Sequence, residues 1–243
     1  MPGLTIFRTS YTSLATLGIP SDPYIGNIDL VTGRAGRGLR GADWVSPLFW
    51  PESNTTFLRK FRSSCNKILW QLVQGAHDLI ELVIGASANE GTVDVDSATS
   101  TLGALRSLIE GFPKGEERDN ALVTPRQVHR YESCRLTAVL MTRMISGGTT
   151  WSDAASDTSF EEEIVFSLSN SDLEDFWGEH VGLLYWVSLI AYAVLHKTRH
   201  RLFGAGLVHR LISEITFGDQ DPHIGIQSLK RLSNFEEGCR IGK

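Results

Sequence analysis

The amino-acid sequence predicts an all-α fold: a single multi-helix, bundle-like domain with an irregular N-terminal arm rich in glycine and proline. Three observations predict it. The run Val181–Leu195 carries no charged residue, as expected of a helix covered on every side at the centre of a bundle. Thr124-Pro125-Arg126-Gln127 reads as a helix start. Thr124 can accept an amide of the first turn, Pro125 fits the first helical position, and Gln127 can reach back to close a capping box. After residue 44 the apolar residues recur at helical spacing, with no convincing sheet pattern.

Residues 1–43 form the arm, and residues 44–243 the helical domain. The arm carries glycines at 3, 18, 26, 33, 36, 38 and 41 and prolines at 2, 20 and 23. These stops exclude a long helix, although a short strand fits around 28–31. A first helix is expected after Pro51-Glu52-Ser53, capped by Ser53 or Asn54, with Phe57, Phe61, Ile68, Leu69 and Leu72 at helical spacing. It continues or kinks past Gly75 through 76–84. Residues 85–96 read as a loop. Ser97 or Thr99 then opens a helix that stops at Gly111-Phe112-Pro113.

Residues 114–120 form a charged loop, and the helix begun at Thr124 runs to Gly147-Gly148 with Val128, Tyr131, Ala138, Met141 and Ile145 on one stripe. Residues 151–159 read as a polar loop, and 160–168 as a short helical segment with an acidic start that suits the positive end of its dipole. Ser171-Asp172-Leu173-Glu174 reads as a second capping box, ahead of the uncharged helix. A helix opening after His196–Arg201 and a short one closing on Phe235–Cys239 complete the bundle.

Composition bounds the function classes. Of 243 residues, 42% are hydrophobic and 21% charged, which is ordinary for a globular domain and too apolar for a disordered one. The formal net charge of −5 points away from tight duplex DNA binding by this chain alone, since phosphate neutralisation calls for basic excess. Cys65, Cys134 and Cys239 are odd in number and far apart, as expected of reduced thiols in the nucleus or cytoplasm. The first residues lack a basic stretch followed by an apolar core, so a signal peptide is not expected. Val181–Leu195 falls short of the about 20 apolar residues that span a bilayer, so no membrane span is expected either.

The usual catalytic signatures are missing. The sequence has no Gly-x-Ser-x-Gly elbow, no Walker-type phosphate loop, and no Gly-x-Gly-x-x-Gly set between a strand and a helix. Gly33–Arg40 imitates an anion cradle but reads better as a flexible basic arm. His196 and His200 stand four apart, the spacing of two ligands on one helix face, yet no patterned third ligand accompanies them. The set reads as the basic end of the uncharged helix. Asp94/Asp96 and Asp219/Asp221 read as turn residues. No metal and no cofactor are expected.

The aromatic residues Trp177, Tyr185, Trp186 and Tyr192 on or beside the uncharged helix, with Trp44, Phe49 and Trp50 near the chain start, supply the wall of a candidate small-molecule pocket. Tyr131 and Arg135 share a face of the Thr124 helix and could aim a phenol and a guanidinium into it, with His196 as a further proton or charge partner. Leu202, Phe203, Leu207, Leu211 and Ile215, beside Gly204, Ala205 and Gly206, make a stripe on which a second helix could pack.

Two blocks, Tyr131–Leu140 (YESCRLTAVL) and Leu183–Cys239, resemble the fungal-specific transcription factor domain. That helical regulatory region normally follows a six-cysteine, two-zinc DNA-binding cluster. The resemblance implies a nuclear regulator of a metabolic or secondary-metabolite gene cluster that senses a metabolite or a partner. Three cysteines cannot build the zinc cluster, so the implied protein acts through a protein partner or as a homodimer. The family supplies no catalytic residues. The other reading is a cluster-encoded biosynthetic protein, of cyclase or isomerase type, that uses the helical cavity for a small hydrophobic substrate.

Overall fold

The computed structural model describes residues 44–51, 56–88, 95–115, 117, 122, 124–156, 158–173, 177–217 and 222–241. The arm, its strand and its glycine-arginine stretch, the caps at 53–54, the acidic pair at 219 and 221, and the side chains of Asp94, Asp96 and Ile215 lie outside the described residues. Those described form an all-α fold. The helices are α1 Thr56–Ser64, α2 Lys67–Ala88, α3 Val95–Glu110, α4 Pro125–Gly147, α5 Trp151–Ala154, α6 Thr158–Ser169, α7 Val181–Leu195, α8 Arg201–Phe217 and α9 Pro222–Ile241. The only bridge of strand type among them is an isolated pairing of Ser46 with Phe49.

Helix α7 is the centre of the bundle. Every one of its residues is buried, and α4, α5, α6 and α8 all pack against it. The stretch Gly178–Leu195 is long and apolar enough to cross a membrane, and most of it lies inside the protein. A second hub is α2, which packs against α3, α4 and α9. Two glycines mark where backbones come closest. A Cβ on Gly238 of α9 would sit 2.4 Å from Ser87 Oγ and 2.9 Å from Val83 Cγ1 of α2. At Gly182 the obstacle is main chain, because a Cβ there would lie 2.3 Å from the Trp44 carbonyl oxygen. The segment entering the domain at Trp44 therefore crosses directly over the first turn of α7.

Local signals explain most boundaries. At the start of α4, Thr124 Oγ1 accepts the Gln127 amide and the Gln127 side chain accepts the Thr124 amide. Gly148 closes the helix in the left-handed region at φ 53°. The first break falls at Cys65-Asn66 rather than Gly75. Ser64 Oγ donates to the Phe61 carbonyl, and Asn66 Oδ1 accepts the Ile68 amide at 2.9 Å, so two local side-chain bonds end one helix and start the next. Trp151, expected in a loop, is buried in α5, and α9 is longer than its apolar core indicated.

The Ser171 capping box is corrected. Ser171 is fully buried, donates its hydroxyl to the Leu168 carbonyl at 2.7 Å and accepts Trp177 Nε1–H at 2.9 Å. It closes α6 instead of opening α7, and Glu174 lies outside the described residues. The chain reaches α7 through Asp172 and Trp177, both non-glycine residues with positive φ of 64° and 61°, followed by a 3-10 turn at Gly178–His180. Such conformations cost energy and persist where surrounding contacts over-determine them. Here the Trp177 ring is buried and bonded, and the Asp172 carboxylate meets Arg126 at 2.8 Å and Arg130 at 3.6 Å.

The Trp44 crossing yields a direct test. Gly182→Ala adds one methyl against backbone that cannot rotate away, so it should destabilise by about 2 kcal/mol or more, lowering Tm by about 4–8 °C. Gly206→Ala on α8, where a Cβ meets nothing within 4 Å, should leave Tm nearly unchanged or raised. Equal thermal curves for the two variants would refute the crossing.

Candidate functional site

The five residues expected to line a pocket sit on or beside packed helices, but their polar ends are drawn to different places. Tyr131 on α4 is fully buried and donates its hydroxyl to the Pro113 carbonyl at 2.9 Å, in the connection after α3. Tyr185 on α7 is buried edge-on to Trp44, with ring centroids 6.1 Å apart, and its hydroxyl points at the Gly225 carbonyl of α9 at 3.5 Å. Burial pushes its phenol pKa well up. Arg135 grips Glu132 one turn earlier through two hydrogen bonds of 3.1 and 2.6 Å. Burial opposes the Arg135 charge, but the Glu132 carboxylate outweighs it and holds the guanidinium more firmly protonated.

His196 follows the last residue of α7 and donates Nδ1–H to the Ala193 carbonyl at 2.7 Å, which satisfies one of the helix's orphan carbonyls. Trp186 is fully buried, and its Nε1–H has no hydrogen-bond partner, nor does Ser188 Oγ two residues later. His200 lies in the turn before α8, not on a shared helix face with His196. Its Nε2 is 3.2 Å from Glu162, which also pairs with Arg199. Bonds from His200 and then Arg199 hold the Glu162 carboxyl below the usual carboxylate range. No group of three His, Cys, Asp or Glu side chains among the described residues could hold a metal.

A second cluster, at the α1–α2 junction, joins residues that no sequence motif connects. His180 Nε2 lies 3.2 Å from Ser64 Oγ and 3.5 Å from Cys65 Sγ. Its ring stands edge-on to Phe61 at 5.5 Å. Phe61 leads to Trp70 at 6.1 Å, Trp70 to Trp50 at 5.4 Å, and Trp50 stacks on His77 at 4.5 Å with the rings 9° from parallel. Since the Ser64 hydroxyl is committed to Phe61, its oxygen is an acceptor for a proton on His180 Nε2. Burial first, and the Glu179 carboxylate second, push the Cys65 thiol up to about 12. A thiol so placed stays protonated and is no activated nucleophile. The cluster acts as an aromatic latch that fixes the Trp44 segment on α2, completed by His77 Nδ1–H donating to the Pro47 carbonyl at 3.3 Å. Its hydrogen-bonded members stand up to 116 positions apart in sequence, and the sequence hinted only at Phe61, by its helical spacing, and at Trp50, as an aromatic residue near the chain start.

Comparison with known protein families, with curated proteins and with solved structures finds no match for this chain.

Two measurements probe the latch. At neutral pH a thiol with pKa about 12 is on the order of 10³-fold less ionised than an ordinary cysteine. Alkylation of Cys65 by iodoacetamide should therefore be slower than in denaturant by about that factor, and an ordinary rate in the folded protein would contradict the assignment. The second concerns His77, whose pKa is lowered from 6.5, chiefly by burial. Between the lowered value and 6.5 the unfolded chain binds more protons, so stability rises with pH there. The contribution is lost as pH falls through 6.5 and down to the folded value. His77→Gln should shrink the fall in Tm between about pH 7.5 and 5.5, and an unchanged fall would exclude His77 as its source.

Proposed function

We propose that this chain is a regulatory helical domain that works by binding a protein partner and has no catalytic chemistry of its own. One observation carries the reading. The side chains with reactive potential in the expected pocket are committed to holding the fold: Tyr131 to Pro113, Arg135 to Glu132, and His196 to the end of α7. A general acid, base or anion clamp needs a polar end free to meet substrate. The acidic net charge favours a protein partner over direct duplex contact. The resemblance to the fungal-specific transcription factor domain agrees with this reading and extends it to a nuclear co-regulator of a metabolic gene cluster, acting through a DNA-binding partner or as a homodimer.

The second reading, a biosynthetic protein with a small hydrophobic substrate, draws on the unpartnered Trp186 Nε1–H and Ser188 Oγ inside the bundle. Buried polar atoms without partners are uncommon and can mark a ligand's place.

Deleting the gene distinguishes the two. For a regulator, transcripts of the neighbouring genes fall and no pathway intermediate accumulates. Unchanged transcripts with an accumulating intermediate would contradict the regulatory reading and favour the enzyme.

A further inference from the structure

We infer that α1, together with the tryptophans beside it, is the docking surface for an acidic protein segment that also carries large apolar side chains. This inference rests on the protein-binding reading and names the partner's chemistry. Helix α1, TFLRKFRSS, contains no acidic residue and buries Leu58 and Phe61. Arg59, Lys60 and Arg62 remain exposed, and exposed Lys67 opens α2 directly after. Four cations within nine positions stand against a chain whose net charge is −5. Glu179 stands 3.8 Å from Lys60 with both side chains well exposed, a contact of little energetic weight. Arg62 is held with its guanidinium carbon 5.5 Å from the Trp70 ring centre.

Apolar surface adjoins the charge. Phe57 is 48% exposed, and Trp70 and Trp50 are half-buried, in contact with each other and with the Arg62 side. Basic and aromatic surfaces of this kind suit nucleic acid, anionic lipid or acidic protein, and the geometry separates them. Stacking of bases needs open ring faces, but Trp50 lies flat on His77, and Trp70 is flanked by Trp50, Phe61 and Arg62. Membrane anchoring needs apolar surface to insert, and even one acyl chain binds only marginally. Among the described residues here, Phe57 is the single large apolar side chain that protrudes, because the tryptophans are held half in the core. An acidic segment needs neither feature. Its carboxylates can take forked hydrogen bonds from Arg59 and Arg62, while its apolar side chains cover Phe57 and the outer edges of the two tryptophans.

The test uses the full chain and a fluorescein-labelled synthetic peptide of about 20 residues that alternates Asp and Glu with Leu and Phe. Controls are the same peptide with Asn and Gln for the acids, phosphatidylserine vesicles, and a single-stranded oligonucleotide. The acidic peptide should bind, weaken with added salt, and perturb tryptophan fluorescence. The variant Arg59→Glu/Arg62→Glu/Lys67→Glu, which changes exposed positions only, should lose at least about tenfold in affinity with its Tm retained. Phe57→Ser should weaken the apolar part of the contact without altering the salt slope. Should the triple variant fold poorly, the salt titration and the amide control on the wild-type protein decide alone. Equal binding of the amide peptide, equal binding by a folded triple variant, or binding of vesicles or oligonucleotide without the peptide would overturn the inference. Failure here with falling transcripts in the deletion strain removes this surface and leaves the regulatory reading standing.

Discussion

The structure depends on covering one helix from every direction. Helix α7 has no charge and no polar face to turn outward, so water must be excluded around its full circumference. A side chain such as Leu189, 1% exposed, contributes about 1.5–3 kcal/mol by burial. That gain is available only when α4, α5, α6 and α8 close around it together. The entering segment completes the cover at the helix start, where Gly182 lets the Trp44 backbone touch α7. The left-handed residues Asp172 and Trp177 turn the chain from the end of α6 into this central position.

The same constraint shapes the functional reading. In a bundle built around an apolar axis, buried polar groups must find partners or carry a desolvation cost. Tyr131, Tyr185 and Arg135 found theirs within the protein, in backbone carbonyls and a carboxylate. These three side chains are thereby committed to cohesion, while Trp186 Nε1–H and Ser188 Oγ stay without a partner inside the bundle. The α1–α2 junction stands out because aromatic rings reach the surface there beside a run of exposed positive charge. Its aromatic ladder also ties the entering segment to α2, so the surface proposed for docking shares residues with that anchor.

Elements with local signals were legible in the sequence. Thr124, Pro125 and Gln127 act within one turn, and the structure places the α4 start where they predict. The uncharged run at 181–195 showed its burial through composition alone. The helix continues through Gly75, one of the two outcomes expected there, but the α1–α2 break was missed because Ser64 and Asn66, ordinary residues in an apolar-periodic stretch, redirect the backbone by local hydrogen bonds. Ser171 misled for a related reason. Its motif fits a cap, yet a buried indole six residues later takes the hydroxyl oxygen. Of the expected pocket residues, Tyr131, Tyr185 and Trp186 are buried on helices, Arg135 is half-buried and His196 follows the end of α7, and the partners of their polar ends lie as far away as Gly225, forty positions from Tyr185. The pairing of His180 with Cys65 had no local trace at all.

Amide hydrogen exchange along the chain tests the central role of α7 most directly. If α7 is the axis on which the other helices depend, its amides between 181 and 195 can open only when the whole bundle unfolds. They should then be the slowest in the protein, tracking global stability, with α1 exchanging earlier through local opening. Exchange in α7 that is as fast as in α1, while α2 or α4 stays protected, would contradict this account.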